Sequence, residues 1–341
     1  MGKRSSFQNQ FCCVVFAAIS RLPFRNNLLG PVHAFIRHVP TRVLDPLRFP
    51  GTRPTGALAP VPIPEPALHE AAAFTPHCVV CLGGGYFIPE RLRPLFPPST
   101  VFVGIALSDP QGLPASLQIA PSFDLYYTQD PGSLEAYRAA GISARRLDLA
   151  VDPRRFFPEP RPKLYDLVFV GKWTPYRNAL LTRLRQEFQV AVYAHAQETR
   201  WTFPVYGPLN HLPALRRAFT SARVALDVAV VEDATSPWHG RSRITPRAFM
   251  AAACGVPVLM DQAEAIADYF APGVEVATFT TLEEAVERAR DLISQPERAH
   301  AMGSAARARV LHCHTWDHRI ACLLEQVAEF QRQKGWPAGK K

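Results

Sequence analysis

Residues Arg243 to Leu259 read RITPRAFMAAACGVPVL, and the stretch has the form of a helix running into a buried strand. Pro246 suits a first helical turn, where a missing N–H costs nothing. Ala, Phe and Met carry the helix, and Gly255 ends it where left-handed backbone is favoured. Val256 to Leu259 then form a short apolar run, as a strand covered on both faces requires.

The same alternation extends outward in both directions. In the first half it predicts strands over Phe11–Ala17, Thr41–Asp45, His77–Gly83, Thr100–Leu107, Leu125–Gln129 and Arg146–Val151. Helices are expected between them, around Asn27–His38, Pro66–Thr75, Pro89–Phe96, Leu113–Phe123 and Gly132–Ala140, with a Pro-rich surface loop from Phe49 to Pro66. VDPRRFFPEPRPKLYD, Val151 to Asp166, breaks the pattern with four prolines and several charges, the mark of a connector. Strands then recur near Asp166–Val170, Gln189–Ala194, Pro204–Tyr206, Val224–Val230, Val256–Met260 and Val274–Phe279. From Pro296 to about Lys334 the chain reads as two helices meeting near His314. Strand–helix alternation implies parallel sheets with right-handed crossovers. A chain of 341 residues exceeds one ordinary core. The expected fold is therefore two doubly wound, Rossmann-like α/β domains. They span 1–152 and 166–341, with a Pro-rich linker at 153–165 and a C-terminal helix packing back towards the first domain. Ligands of such sheets sit beyond the carboxyl ends of the strands, so the cleft between the domains is the expected site.

Composition narrows the partners. With 48% hydrophobic and 20% charged residues the chain is an ordinary globular protein. A formal net charge of +9 suits an anionic ligand, but the arginines are scattered, so no nucleic-acid role is expected. The seven cysteines lie mostly in apolar segments and read as reduced core thiols of a cytoplasmic protein. Cys78 and Cys81 fall in a predicted strand, whose alternation puts them on opposite faces, against joint metal ligation. The apolar run from Phe11 to Ile19 is too short to span a bilayer; it fits a first buried strand or a weak signal peptide. HCHTWDH, from His312 to His318, has metal-like spacing without an evident carboxylate partner. Gly83 to Gly85, straight after a strand, suit either a plain turn or a loop that lets backbone approach a ligand.

DLVFVGKWTPYRNALL, Asp166 to Leu181, opens the second domain with a strand, a turn and a helix. Such a turn offers unpaired backbone N–H groups, and the adjacent Lys172 and Arg177 suit a pyrophosphate. They also fit a solvated pair on a loop.

This stretch resembles the Gly-Arg-x-x-x-x-Lys element of the group 1 glycosyltransferases, which have the GT-B fold, with the Arg and Lys identities exchanged. SFDLYYTQDPGSLEAYRAAGI, LAVDPRRFFP, PVYGPL, ARVALDVAV, PRAFMAAACGVPVL, YFAPGVEVATFTTLEEAVERARDLI and HTWDHR are similar, in order and spacing, to one branch of that group. This branch is the CgeB-like (spore maturation protein-like) glycosyltransferases, and the likeness runs from about Phe74 to Phe330. It implies transfer of a sugar from a nucleotide-diphosphate sugar to a hydroxyl of a glycan, protein or small-molecule acceptor. It also implies a hexosyltransferase-type reaction with retention, no metal, and no cofactor beyond the nucleotide-sugar substrate. On the matching positions Lys172, Arg177 and Asp109 are the catalytic candidates. Asp109 equally fits a carboxylate capping the next turn. Donor-binding candidates are Gly171, Lys172, Arg177, Tyr206, Gly207, Glu232, Asp233, Ser242, Arg247, Met250 and Gly255. The pattern departs at Met250, where the branch has a ribose-binding Glu, and at Ser242, where the wider group has its other Glu. A thioether accepts hydrogen bonds only weakly. The resemblance therefore leaves open an altered donor pocket, with ribose contact moved to Glu232, Asp233 or backbone, or a binding protein without turnover.

Overall fold

The computed structural model describes residues 13–17, 31, 34, 37–38, 41–44, 65–83, 89–107, 109–194, 199–207, 212–229 and 244–336. The chain divides into two compact units. Unit 1 comprises Met1–Asp148 with Trp316–Lys341, and unit 2 is Leu149–Thr315. Within the apolar run Phe11–Ile19, Cys13–Ala17 forms a strand; the rest of residues 1–20, most of the helix around Asn27–His38 and most of the loop Phe49–Pro66 lie outside the described residues, as do Gly84 and Gly85.

Unit 1 holds β1 (Cys13–Ala17), β2 (Thr41–Leu44), β3 (Cys78–Leu82), β4 (Val101–Ala106), β5 (Leu125–Thr128) and β6 (Ala144–Arg146). They form one parallel sheet in the order β2-β1-β3-β4-β5-β6. β3 and β4 are buried along their whole length, which is why CVVCL and VFVGIA carry no polar alternation. Helices α1 (Glu65–Ala73), α2 (Pro89–Leu92), α3 (Leu113–Ile119) and α4 (Ser133–Ala139) lie between the strands. The strand expected over Arg146–Val151 ends at Arg146; beyond it the chain leaves the sheet, and Val151 instead bridges Thr315 within unit 2.

Unit 2 repeats the plan. β7 (Tyr165–Val170), α5 (Pro175–Leu184), β8 (Val190–Tyr193), α6 (Leu212–Thr220), β9 (Ala222–Asp227), α7 (Pro246–Ala253), β10 (Val258–Asp261), β11 (Ala277–Phe279), α8 (Leu282–Ser294) and α9 (Pro296–Cys313) follow in sequence. The sheet is parallel, in the order β8-β7-β9-β10-β11. No strand forms over Pro204–Tyr206, where Pro204 lacks an N–H for the ladder; Tyr206 alone bridges Tyr193. Gly273 to Glu275 form a tight turn, with Gly273 at φ +80°, and Val276 bridges Pro272 before β11 begins.

The last helix, α10 (Trp316–Gln333), belongs to unit 1. It buries Ile320, Leu323, Leu324 and Val327, and polar bonds fix its register. Arg319 Nε donates to the Asp148 carbonyl at 3.1 Å, and Tyr127 OH donates to Gln326 Oε1 at 2.9 Å. Near its end, the buried Gln331 Nε2 donates to the carbonyls of His77 and Ser99 at 3.3 and 3.2 Å. Among the described residues no helix is long and apolar enough to cross a membrane.

The stretch that sets the fold forms as its sequence requires. Thr245 caps α7 by accepting the Arg247 N–H, Pro246 occupies the first turn, and Gly255 takes φ +71° to end it. α9 then crosses this turn closely. A Cβ on Gly303 would stand 2.4 Å from the Gly255 carbonyl oxygen and 3.0 Å from Pro257 N. Helix propensity favours alanine over glycine by about 1 kcal/mol, whereas overpacking against backbone costs about 1–3 kcal/mol. Gly303→Ala should therefore destabilise by about 1–2 kcal/mol, seen as a lower urea midpoint at unchanged m. A midpoint that rises instead would show that α9 withdraws without cost.

Candidate active site

The strand order of unit 2 reverses between β7 and β9, and a crevice outside their carboxyl ends is where such sheets bind ligands. Two helices begin there. Thr174 caps α5 by accepting the Arg177 N–H, as Thr245 caps α7. Their N-termini give this end of the sheet N–H groups and a positive dipole end.

Gly171 follows β7 directly, its N–H donating to the Tyr193 carbonyl at 3.0 Å. A Cβ here would lie 2.6 Å from Phe169 Cζ and 2.9 Å from Arg247 Nη1, so glycine is what lets the guanidinium cross the strand end. Arg247 Nε donates to Asp227 Oδ1 and to Thr245 Oγ1, both at 3.1 Å. Thr245 Oγ1 in turn donates to the Asp227 carboxylate at 2.8–2.9 Å. Asp227, the last residue of β9, is 2% exposed. A buried carboxylate needs such partners, since an unpaired one costs several kcal/mol.

Arg177 lies differently from the diphosphate clamp expected of it. Its Nε and Nη2 donate to the Val228 carbonyl at 3.0 and 2.7 Å, and its Nη1 to the Lys172 carbonyl at 3.1 Å. It braces the β7–α5 turn against the exit of β9. Asp261, at the end of β10, accepts the Ala229 N–H at 3.0–3.1 Å. Lys172 is exposed beside Gly171. Met250 is nearly buried on α7, one turn beyond Arg247. Tyr206 packs its half-exposed ring on Tyr193 at 5.4 Å, next to Gly207. Gly255 is not part of this cluster: it closes the opposite end of α7, roughly 12 Å along the axis from Arg247. Glu232, Asp233 and Ser242 lie outside the described residues. Asp227, Thr245 and Asp261 escaped the sequence reading. The signal for the two acids was an acid closing an apolar strand, in VALD and VLMD, and that for Thr245 was a hydroxyl directly before Pro246.

His314 of HCHTWDH is buried in unit 2, its Nε2 3.2 Å from the Tyr269 carbonyl and its ring against Phe249, Tyr269 and Phe270. Among the described residues no three His, Cys, Asp or Glu side chains gather as a metal site.

Asp109 is in the interior of unit 1, not exposed as a base would be. Ser116, Thr128 and Tyr137 hydroxyls donate to it at 3.1, 2.7 and 2.8 Å. Burial pushes its carboxyl above the ordinary value and Asp130 adds to the rise, while the three hydroxyl bonds pull it down. Because the folded pKa is the higher one, the unfolded chain releases this proton first, and stability falls as pH rises through the folded value. Asp109→Asn removes the titration. The Tm of the wild type minus that of Asp109→Asn should fall as the pH is raised from about 4, the ordinary carboxyl value. Thermal melts upward from that pH check it; a difference that grows with pH would contradict it.

Residues 177–325 match the family model described as Glycosyl transferase-like. Sucrose-phosphate synthase from Thermosynechococcus elongatus aligns over 94% of this chain and 99% of its own, at 14% identity and a TM-score of 0.61. Anabaena HepE, in complex with UDP and glucose, aligns over 94% and 100%, at 13% identity and 0.62. AviGT4, a glycosyltransferase involved in avilamycin A biosynthesis, aligns over 94% and 98%, at 16% identity and 0.63. A search of curated protein sequences finds no match. Residues 177–325 thus resemble a glycosyl transferase-like family, and the chain along most of its length shares the two-domain GT-B fold of these glycosyltransferases.

Proposed function

We propose that the protein transfers a sugar from a nucleotide-diphosphate donor to an acceptor hydroxyl, with retention and without a metal, as a CgeB-like enzyme. The observation that carries the donor reading is the grouping at the carboxyl ends of β7 and β9. Gly171, the Arg247 terminal nitrogens, exposed Lys172 and the capped N-termini of α5 and α7 meet there. Such a set suits a diphosphate, whose charge grows as the sugar departs; fixed donors aimed at growing charge are the largest catalytic contribution open to a metal-free site. HepE is described in complex with UDP-glucose, which makes UDP the first donor base to try. The acceptor would be held by unit 1. Cys81 and Cys254 are buried free thiols, as suits a cytoplasmic enzyme.

Incubation with UDP-, GDP-, ADP- and dTDP-sugars, reading nucleotide release and thermal shift, tests the proposal. Release from one donor supports it. A second reading is favoured by Met250, which supplies no strong acceptor for a ribose: a protein that binds nucleotide without turnover. A thermal shift without release from any donor would select it.

Arg247→Ala should weaken UDP binding by about 1.5–3 kcal/mol, as loss of charge-assisted bonds does. Lys172→Ala, at an exposed site, should cost less than about 1 kcal/mol. Isothermal titration measures both, and equal affinities in wild type and Arg247→Ala would remove the arginine from the site. If ribose contact lies outside α7, Met250→Glu should change UDP affinity by less than about tenfold. Glu232→Ala or Asp233→Ala should then exceed that change, and the reverse ranking would defeat the relocated pocket.

A further inference from the structure

Among the described residues Asp227 is the most deeply buried acid at the carboxyl end of the second sheet, and it has no place in the donor reading above. It stands at the end of β9, 2% exposed, and its partners come from one turn of one neighbouring helix. Arg247 Nε reaches Oδ1 at 3.1 Å, and the Thr245 hydroxyl lies 2.8 and 2.9 Å from the two oxygens. The same hydroxyl oxygen accepts from Arg247 Nε. Thus the inner nitrogen of the guanidinium is pinned by two oxygens, and a planar group pinned at Nε has its Nη edge fixed in direction. That edge lies against Gly171, the one residue type that leaves room for it.

We propose that Asp227 is a positioning residue for the donor: with Thr245 it holds Arg247 so that the Nη nitrogens stand at the Gly171 turn to receive a nucleotide diphosphate. The inference rests on the donor reading of this site. Its sign separates it from simple charge. As a bare negative charge near a bound diphosphate, Asp227 would repel it, and neutralising Asp227 would tighten binding. As a positioning group it strengthens binding by keeping one rotamer of Arg247 populated, and neutralising it weakens binding.

The test is a double-mutant cycle on UDP affinity, with Asp227→Asn, Arg247→Ala and the double variant, each checked for its fold by circular dichroism. Asp227→Asn should weaken UDP binding about three- to tenfold, and Arg247→Ala about tenfold or more. On the Arg247→Ala background, Asp227→Asn should weaken it no further, because the residue acts through the arginine. Unchanged or tighter binding in Asp227→Asn, or a full additive loss in the double variant, overturns the positioning role. An Arg247→Ala variant that binds UDP as the wild type does, or a wild type that binds none of UDP, GDP, ADP and dTDP, overturns the donor reading itself. Should Asp227→Asn not fold, the Arg247 Nε–H resonance of the wild type, identified by its loss in Arg247→Ala, decides. Slow solvent exchange and a shift on adding UDP support the proposal, and exchange at the rate of a solvated arginine defeats it.

Discussion

The way the chain leaves β9 governs this end of unit 2. Three consecutive residues are each held by a side chain from a different element. Asp227 is paired with Arg247 from α7, the Val228 carbonyl takes two nitrogens of Arg177 from α5, and the Ala229 N–H is accepted by Asp261 at the end of β10. Buried backbone groups beyond the last ladder bond need partners, and buried carboxylates need counter-charges. Here each need is met by the other. The fold and the candidate site are therefore not separable at this point: a change in Arg177 alters a strand exit as well as a field, and a change in Asp227 releases an arginine as well as a charge.

The two units treat an acid at this level of the sheet in opposite ways. In unit 1, Asp109 is met by the hydroxyls of Ser116, Thr128 and Tyr137, and burial raises its pKa. Neutral donors stabilise a carboxylate less than a guanidinium does, so this site tolerates the protonated acid and ties three elements together inside the unit. In unit 2, Asp227 faces a cation. The first arrangement serves packing; the second leaves an aimed positive group at the surface of the sheet. This contrast is why Asp109, a candidate base by its position after a strand, reads as interior once its neighbours are known.

The fold was legible wherever the decisive interaction is local. Pro246 and Gly255 lie within one helix length, and apolar runs such as CVVCL show a strand covered on both faces. The site was legible only in part. Gly171, Lys172 and Arg247 were found as residue types at strand and helix ends, and they do lie together. The use made of Arg177 depends on the carbonyl of Val228, 51 positions away, and no spacing in its own segment reports that. Asp227 and Asp261 look like any acid that ends a strand; only the register of β9 against β10, with Met260 beside Asp227, sets them side by side. Pro204–Tyr206 failed as a strand for the converse reason, an extended-looking sequence whose proline cannot join a ladder.

Met250 gains a physical meaning from this arrangement. It stands three residues after Arg247, so the two share a face of α7, and it is 7% exposed. A carboxylate at that depth would need a cation, and the arginine one turn away is the cation on that face. Arg247 already gives its Nε to Asp227 and Thr245. A second acid on the helix would be a further claimant on the same guanidinium. A thioether makes no such claim, because its sulfur is only a weak acceptor. The carboxylate that orients Arg247 in this chain therefore sits on the strand, and the apolar residue on the helix leaves that orientation uncontested.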